Sequence, residues 1–257
     1  MLTKRHGAIL TLLQGSGSLS VSALSQQLGV SSETVRRDVR TLAESGAVVR
    51  VHGAVGLAGQ IGEAPFDRRM RENASAKRAI ARTLADSISD GDSLMMDTGT
   101  TTSFLARELL GHRRLTVVTN SSDIARTLAT VNGNRVFMAG GELQGDSGAA
   151  LGASALDFIR SFAVQHAIIS AGAVDVSGIM DFDLQESEFA RAVLACGQRR
   201  VVVTDSSKFG RRGFIRVAGF DAVDEVVTET TPEDPIANAM RMANVTLTLA
   251  AQRDDSQ

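Results

Sequence analysis

The stretch "VSSETVRRDV", residues 30–39, places two adjacent arginines inside a segment that has the apolar spacing of an α-helix. At about 100° per residue, Arg37 and Arg40 project from the face opposite the apolar one. The narrow apolar face is formed by Val35, Val39 and Leu42. The pattern predicts a helix that buries its apolar side chains and presents its arginines to a partner.

Signals on the N-terminal side of this helix predict a compact helical unit. Residues 2–14 and 22–28 carry apolar side chains at helical spacing. Gly29 ends the second helix, because a residue without Cβ readily adopts the left-handed conformation that closes a helix. Ser31 is the predicted N-cap of the third helix, which we expect to run to about residue 45.

The segment that follows predicts a wing. The sequence "AVVRVHGAV", residues 47–55, alternates as a two-stranded hairpin does, with Arg50 and His52 at its tip. This order of elements is that of a winged helix-turn-helix, whose third helix enters the major groove while the wing touches the backbone. Paired charges more often mark a solvated helix face, and these residues alone leave that interpretation open.

Charge is distributed unevenly along the 257 residues. Residues 1–54 carry six Lys or Arg against three Asp or Glu, whereas the remainder carries 21 against 26. A basic first segment on an acidic body suggests two partners. The chain lacks an apolar run of about 18 residues and a secretory signal, so we expect a cytoplasmic protein without membrane contact.

The first segment resembles a known family. Over its full length "SVSALSQQLGVSSETVRRDVRTLAESGAVVRVHGA", residues 20–54, is similar to the N-terminal signature of the DeoR family of bacterial transcriptional regulators. The resemblance implies that operator DNA is contacted by Ser32, Thr34, Arg36, Arg37 and Arg40. The family usually ends the wing in two glycines, and this chain departs from it with Gly53 followed by Ala54.

The larger remainder alternates strand-like and helix-like segments. Six short apolar runs occupy residues 93–97, 115–119, 135–139, 166–170, 200–204 and 225–229. Helical stretches between most of them predict a parallel sheet covered on both faces, whose ligands bind beyond the strand C-termini. We therefore predict an α/β fold with an N-terminal winged helix-turn-helix and a C-terminal Rossmann-like parallel sheet. Apolar spacing also predicts one helix over residues 66–88 that packs on the sheet.

The segment "DTGTTTSF", residues 97–104, follows the first of these runs. Gly99 lets backbone amides approach a ligand, and threonine hydroxyls beside a helix N-terminus can hold a phosphate. The spacing and lysine of a Walker loop are absent. Gly and Thr are also ordinary residues at a helix start, so the segment by itself fits both interpretations.

The polar strand ends resemble the C-terminal sensor domain of the DeoR family, which is related in fold to ribose-5-phosphate isomerase and CoA-transferase-like proteins. Such sensors bind phosphorylated sugars or related metabolites and then release DNA. The resemblance implies an effector site formed by Asp97, Gly99, Thr100, Thr101, Asn120, Gly140, Gly141, Gly152, Glu186 and Lys208.

Three segments, at residues 152–162, 179–188 and 205–217, resemble the glycerol 3-phosphate branch of the family more than its fructose, galactitol or deoxyribonucleoside branches. Glycerol 3-phosphate is therefore the expected effector, with another sugar phosphate as the alternative. Two departures bear on the ligand: Ala190 replaces a common lysine, and Glu229 replaces the usual aspartate.

The competing class is a sugar-phosphate isomerase or deaminase. The acidic cluster Asp181, Asp183, Glu186 and Glu188 could contain a general base, but only Glu186 matches a family motif position. We expect Asp181 and Glu188 to point into water. An isomerase has no use for a DNA-binding segment, so we predict no catalytic residue, no cofactor and no metal.

These observations predict three segments: a winged helix-turn-helix over residues 1–57, a linker over 58–74 and a phosphosugar-sensing domain over 75–257. One small DNA-binding unit makes few base contacts, so we expect a homo-oligomer, a dimer or tetramer, on repeated half-sites. The expected partners are double-stranded operator DNA and a phosphorylated sugar or polyol. The expected role is repression of a sugar or polyol catabolic operon, glycerol metabolism being the best match.

Overall fold

The computed structural model describes residues 3–16, 18–51, 54–57 and 62–251. It divides into two compact units, Met1–Arg68 and Arg69–Gln257, which we call the head and the sensor. This division falls inside the segment predicted as a linker, where a short helix begins at Phe66. The predicted boundaries at residues 57 and 74 stay predictions.

The described residues of the head form three complete helices and three short strands. They are α1 (Lys4–Ser16), β1 (Ser18–Ser20), α2 (Val21–Leu28), α3 (Ser32–Glu44), β2 (Val48–Val51) and β3 (Ala54–Leu57). The strands form one antiparallel sheet in the order β1-β3-β2. The predicted two-stranded wing is confirmed as the antiparallel pair of β2 and β3, and β1, which the sequence patterns missed, adds a third strand through the pairing of Leu19 with Val55.

Local signals explain where the head helices begin and end. Ser31 caps α3 by accepting a hydrogen bond from the Thr34 amide at 3.2 Å, and Gly29 closes α2 with a φ of 66°. Both predicted roles are confirmed. The apolar stripe of α3 joins one fully buried core made of Ile9, Leu13, Leu24, Val35, Val39, Leu42, Val48 and Val55.

The sensor is built on a seven-stranded parallel sheet. Its helices are α4 (Phe66–Arg71), which begins in the head, α5 (Ala74–Ala85), α6 (Thr100–Glu108), α7 (Ser122–Leu128), α8 (Ala153–Ile159), α9 (Leu184–Cys196) and α10 (Asp234–Met242). Its large-sheet strands are β4 (Ser93–Met96), β5 (Thr116–Thr119), β6 (Arg135–Met138), β7 (Val164–Ser170), β10 (Gly197–Val203), β12 (Glu225–Thr228) and β13 (Thr246–Leu249). The small antiparallel sheet contains β8 (Ala173–Asp175), β9 (Gly178–Asp181) and β11 (Ile215–Ala218).

All six predicted strands lie in the large sheet, whose order is β13-β12-β10-β7-β4-β5-β6. The chain proceeds from β4 outward to β6, then returns to β7 on the other side of β4. The boundary between β4 and β7 is therefore the topological switch point, where ligands bind in open α/β sheets. Sequence patterns missed β13 and the small sheet.

Helices cover both faces of the large sheet. Alternate side chains of β4 enter different cores, with Met95 on the face of α8, α9 and α10, and Leu94 and Met96 on that of α5, α6 and α7. Side chains buried on both faces explain why the strands are continuous apolar runs rather than alternating ones. The predicted α/β fold class is confirmed.

The single helix predicted over residues 66–88 is two helices. The chain breaks between α4 and α5 at Asn73, whose φ of 52° and ψ of 33° are left-handed. Apolar spacing could not reveal the break because the segment contains neither proline nor glycine. Ile80 and Leu84 are nevertheless buried in the core, as the spacing predicts.

Candidate DNA-binding and effector sites

The outer face of α3 is polar and accessible. Arg36, Arg37 and Arg40 are exposed, and Ser32 and Thr34 near its N-terminus are half-buried. Arg36 pairs with Glu33 at 3.2 Å, and because both side chains are mostly exposed the pair is easily opened. The basic side chains at one end of the head are therefore available for phosphates or base edges.

The wing is attached to the same face. Arg50 of β2 is exposed and its Nη2 donates to the backbone oxygen of Arg36 at 3.1 Å. This bond brings the basic groups of wing and helix together. His52, predicted to lie at the wing tip, falls outside the described residues.

A buried carboxylate that no sequence pattern had indicated as functional supports α3. Asp38 is 5% exposed, accepts from Nη2 of Arg5 at 2.9 Å and lies 3.3 Å from Nε2 of His6. The hydrogen bond from Arg5 holds the pKa of Asp38 below its usual range. Asp38 therefore ties α3 to α1. The available signal was its position within the apolar stripe, one residue before Val39.

In the sensor, polar residues follow the carboxyl ends of adjacent parallel strands. Asp97 follows β4 and Asn120 follows β5, while Ser170 ends β7. Parallel pairing places these ends on one edge of the sheet. Asp97 and Ser170 lie at the ends of β4 and β7, the two strands of the switch point. Two predicted effector residues, Asp97 and Asn120, therefore lie on the same edge of the sheet.

Asp97 is the most perturbed carboxyl group of this edge. Its Oδ2 accepts from the amide and the hydroxyl of Ser170, at 3.0 and 3.3 Å, whereas its Oδ1 is buried without a hydrogen-bond partner among the described residues. Burial raises its pKa to about 7, opposed by the Ser170 amide and reinforced by the charge of Asp181. Asp97 therefore holds its proton to a much higher pH than an exposed aspartate does.

Gly99 and the threonines begin α6 beside Asp97. A Cβ on Gly99 would lie 2.0 Å from Oγ of Ser170, so only glycine fits this close approach. Thr102 donates to the backbone oxygens of Asp97 and Gly99, both at 3.0 Å. Thr100 and Thr101 are buried in the first turn of α6.

The side-chain amide of Asn120 forms hydrogen bonds with other residues of the sensor. Its Oδ1 accepts from the Thr98 hydroxyl at 2.9 Å and its Nδ2 donates to the backbone oxygen of Ala150 at 3.1 Å. With 1% exposure, Asn120 joins the loops after β4 and β5 to the segment before α8. Its predicted contact with effector hydroxyls stays a prediction, and the observed bonds describe a positioning residue.

The predicted glycines lie on two neighbouring loops. Gly141 and Gly152 have φ values of 147° and 95°, which favour glycine. The position of a Cβ on Gly141 is 3.5 Å from the backbone oxygen of Leu151, and Ser154 donates to the oxygen of Gly140 at 3.5 Å. Gly140 and Gly141 are exposed, so the loops after β6 and before α8 meet at the surface.

The acidic cluster separates into different environments. Asp183 caps α9 by accepting from the amides of Gln185 and Glu186, at 2.8 and 3.1 Å, and Glu188 is exposed. Asp181 is half-buried and its charge acts on Asp97, so the expectation that it points into water was wrong. Glu186 is half-buried in the first turn of α9. Asp181 could be placed only by the pairing of β9 in the small sheet.

Lys208 belongs to a short 3-10 turn, Ser206–Lys208, after β10. Asp205 is 1% exposed and caps the turn by accepting from the Ser207 amide at 3.2 Å. The Ser206 amide donates to both carboxylate oxygens of Glu229, at 2.9 and 3.1 Å. Glu229, noted in the sequence as a departure, thus holds the turn that carries Lys208.

The described residues contain no group of three or more His, Cys, Asp or Glu side chains that could hold a metal ion. No helix among them is long and apolar enough to cross a membrane.

A helix-turn-helix with an exposed arginine face, joined to an α/β unit with a polar switch point, defines a DNA-binding regulator with a separate sensor. The description DeoR-like helix-turn-helix domain matches residues 5–60, and DeoR C terminal sensor domain matches residues 72–230. The chain therefore belongs to the DeoR family, and the resemblance seen in the sequence is confirmed.

Curated relatives match along nearly the whole chain. The glycerol-3-phosphate regulon repressor of Escherichia coli (strain K12) is 33% identical over 248 residues, covering 96% of this chain and 98% of that protein. The Haemophilus influenzae protein of the same name is 33% identical and covers 95% and 96%. The HTH-type transcriptional repressor CsqR of E. coli is 30% identical and covers 98% and 96%. Among solved structures, ribose 5-phosphate isomerase A from Neisseria gonorrhoeae is 16% identical, covers 53% of each chain and has a TM-score of 0.39.

Proposed function

We propose that this protein is a cytoplasmic transcriptional repressor of a sugar or polyol catabolic operon. It holds operator DNA as a homo-oligomer and releases it when a phosphorylated sugar or polyol binds the sensor. Glycerol 3-phosphate is the first candidate for that effector. The relatives named as repressors support this role, and two of them carry glycerol 3-phosphate in their names.

The observation that carries the DNA-binding role is the exposed arginine face of α3. The opposite face of the same helix is buried in the head core, so the orientation of Arg37 and Arg40 is set by packing. Arginine contacts guanine edges with two hydrogen bonds and phosphates with the same fork. The solvated-face alternative predicts no change in DNA affinity when Arg37 is replaced.

The effector role is supported by the chemistry of the switch point. The first amides of α6 lack helical acceptors, Gly99 allows the backbone to pack closely against Ser170, and Thr100 and Thr101 place hydroxyls in the same turn. We propose that this turn receives the phosphate. Glu186 and Lys208 would then read the hydroxyls, with Asn120 and the glycines at 140, 141 and 152 positioning the surrounding loops.

Effector and operator must be linked for release to occur. A ligand displaces DNA only if its affinity differs between the DNA-bound and free arrangements of the protein. The enzyme alternative requires instead that a sugar phosphate is converted. The relatives favour regulation, and sustained turnover of a candidate by the purified protein would revive the isomerase.

The testing experiment measures operator affinity with and without candidate effectors. An operator selected from random-sequence DNA is labelled, and binding is followed by fluorescence anisotropy at fixed ionic strength. The panel contains glycerol 3-phosphate, fructose 1-phosphate, ribose 5-phosphate, glucosamine 6-phosphate and unphosphorylated glycerol. We expect glycerol 3-phosphate alone to weaken operator binding by about tenfold, within the usual range of allosteric coupling.

The other outcomes distinguish parts of the proposal. Release by a different sugar phosphate would keep the repressor and change its effector. Release by glycerol as well would remove the phosphate site at α6. Failure to select any DNA would contradict the function of the head.

A further inference from the structure

The break between α4 and α5 falls at Asn73, in a segment without proline or glycine, and the Asn73 side chain makes a long-range contact there. Asn73 occupies the N-cap position of α5, yet its side chain makes no capping hydrogen bond. Its Nδ2 donates instead to Oδ1 of Asp205 at 2.9 Å and to Oγ of Ser207 at 3.2 Å. The contact joins positions separated by more than 130 residues in the sequence.

Asp205 and Ser207 belong to the turn that carries Lys208, one of the residues expected to bind effector. The same oxygen of Asp205 that accepts from Asn73 also caps this turn. Glu229 fixes the turn from β12 through the Ser206 amide. A displacement of this turn toward a ligand would therefore change the contact to Asn73.

The chain around Asn73 has a second conformation available to it. Residues 66–85 contain no proline or glycine, and their composition predicts one uninterrupted helix. A left-handed residue with a Cβ is disfavoured, although asparagine tolerates it better than most. In a continuous helix, the amides of residues 74–76 would donate to backbone carbonyls of the preceding turn. The break removes these acceptors, because residues 74–76 form the first turn of α5.

We propose that Asn73 is a hinge through which the effector turn controls the direction of α4. While Asp205 holds the Asn73 side chain, the helix is broken. When effector draws the Ser206–Lys208 turn away, Asn73 becomes helical and α4 continues into α5. Because the chain before α4 leads to the head, one change of φ and ψ redirects the connection to the DNA-binding unit. The hinge rests on the proposed function of the sensor.

The first test uses no ligand and compares variants of the full-length protein. Asn73→Ala removes the contact and favours the continuous helix, whereas Asn73→Gly removes the contact and keeps the left-handed conformation accessible. Asn244→Ala is the matched control, because Asn244 is also left-handed beside a sensor helix, with a φ of 58°. Operator affinity and hydrogen exchange at residues 74–76 are measured for each.

The hinge predicts that Asn73→Ala slows exchange at residues 74–76 and changes operator affinity by about fivefold or more. Asn73→Gly should not slow this exchange, and Asn244→Ala should leave both quantities unchanged. Equal operator affinity of wild type and Asn73→Ala would overturn the proposal. If Asn73→Ala does not fold, Asn73→Glu replaces it, since glutamate favours the continuous helix and its carboxylate is repelled by Asp205.

The second test adds glycerol 3-phosphate and, in turn, the other sugar phosphates of the panel. Direct binding is measured by calorimetry, and exchange at residues 74–76 is measured at saturation. We expect the ligand that binds to slow exchange there in wild type but to have no further effect in Asn73→Ala. A ligand that binds and releases DNA without altering this exchange would overturn the hinge. Absence of binding by the whole panel would count against the proposed effector class, and the ligand-free test would still decide the hinge.

Discussion

The head exposes the arginines predicted to contact DNA, whereas the sensor buries several of the residues predicted to bind effector. Arg36, Arg37 and Arg40 stand on an exposed helix face whose orientation follows from the periodicity of one segment. At the sheet edge, Asp97 and Asn120 are buried and bonded to groups that arrive from distant parts of the chain. A substitution on the α3 surface should therefore remove a contact and spare the fold. One at the sheet edge should alter stability, proton binding and ligand affinity together.

The largest expected effect tests the one buried charge of the α3 helix. Asp38→Asn weakens the bonds from Arg5 and His6 and should lower the free energy of unfolding of the head by about 2 kcal/mol. Chemical denaturation followed by circular dichroism measures it. Glu33→Gln, in the same helix but 73% exposed, should cost no more than about 0.5 kcal/mol. Equal losses for both variants would contradict the supporting role of Asp38.

The next effect tests the exposed face itself. Arg37→Ala should weaken operator binding by about 1–3 kcal/mol, while effector binding and the melting temperature stay unchanged. Anisotropy titrations at several salt concentrations measure the affinity and show whether the lost contact was to a phosphate. Arg126→Ala removes an 84% exposed arginine of the sensor and should change neither. Loss of effector binding in Arg37→Ala would contradict the assignment of Arg37 to DNA binding alone.

A third prediction concerns pH and the buried Asp97. In the folded protein this carboxyl group has a pKa of about 7, whereas in the unfolded chain its pKa is near the ordinary aspartate value of 3.8. The folded state thus binds more protons in this window, and its free energy of unfolding falls as pH rises. Between pH 6 and 7, the titration of Asp97 should lower the free energy of unfolding by about 1 kcal/mol.

Asp97→Asn removes this titration and should flatten the decline of stability with pH. Denaturant unfolding of the sensor at pH 5, 6, 7 and 8 compares the variant with wild type. Parallel curves for the two proteins would mean that Asp97 is ionised throughout and better solvated than its burial indicates.

The smallest effect tests the proposed phosphate turn. Thr100→Val keeps the shape of a buried residue and removes one hydroxyl, so effector affinity should fall by about 1 kcal/mol with operator affinity unchanged. Calorimetry measures the effector, and Thr127→Val, a half-buried threonine of α7, is the control. An unchanged dissociation constant for effector would remove Thr100 from the site.

Patterns of short range were predictable from the sequence. The caps Ser31 and Gly29, the buried stripe of α3 and the six parallel strands all follow from residues a few positions apart, because helix and strand periods express local geometry. The polar strand ends were predictable as one edge for the same reason. Parallel strands place their carboxyl ends on the same edge of the sheet, independently of which side chains lie there.

Tertiary structure decided which of these side chains interact. The addition of β1 to the wing, the bond from Arg5 to Asp38, the influence of Asp181 on Asp97 and the break at Asn73 each join residues far apart in the chain. Asn73 shows the reason most clearly. Its local sequence favours a helix, yet Asn73 is left-handed and its side chain donates to Asp205, a residue that local patterns could not bring beside it. The sequence by itself determined the family, the α/β class and the polar surface of α3. Only the tertiary structure decided which distant residues contact one another at the carboxyl edge of the sensor sheet, because those contacts depend on how the chain packs.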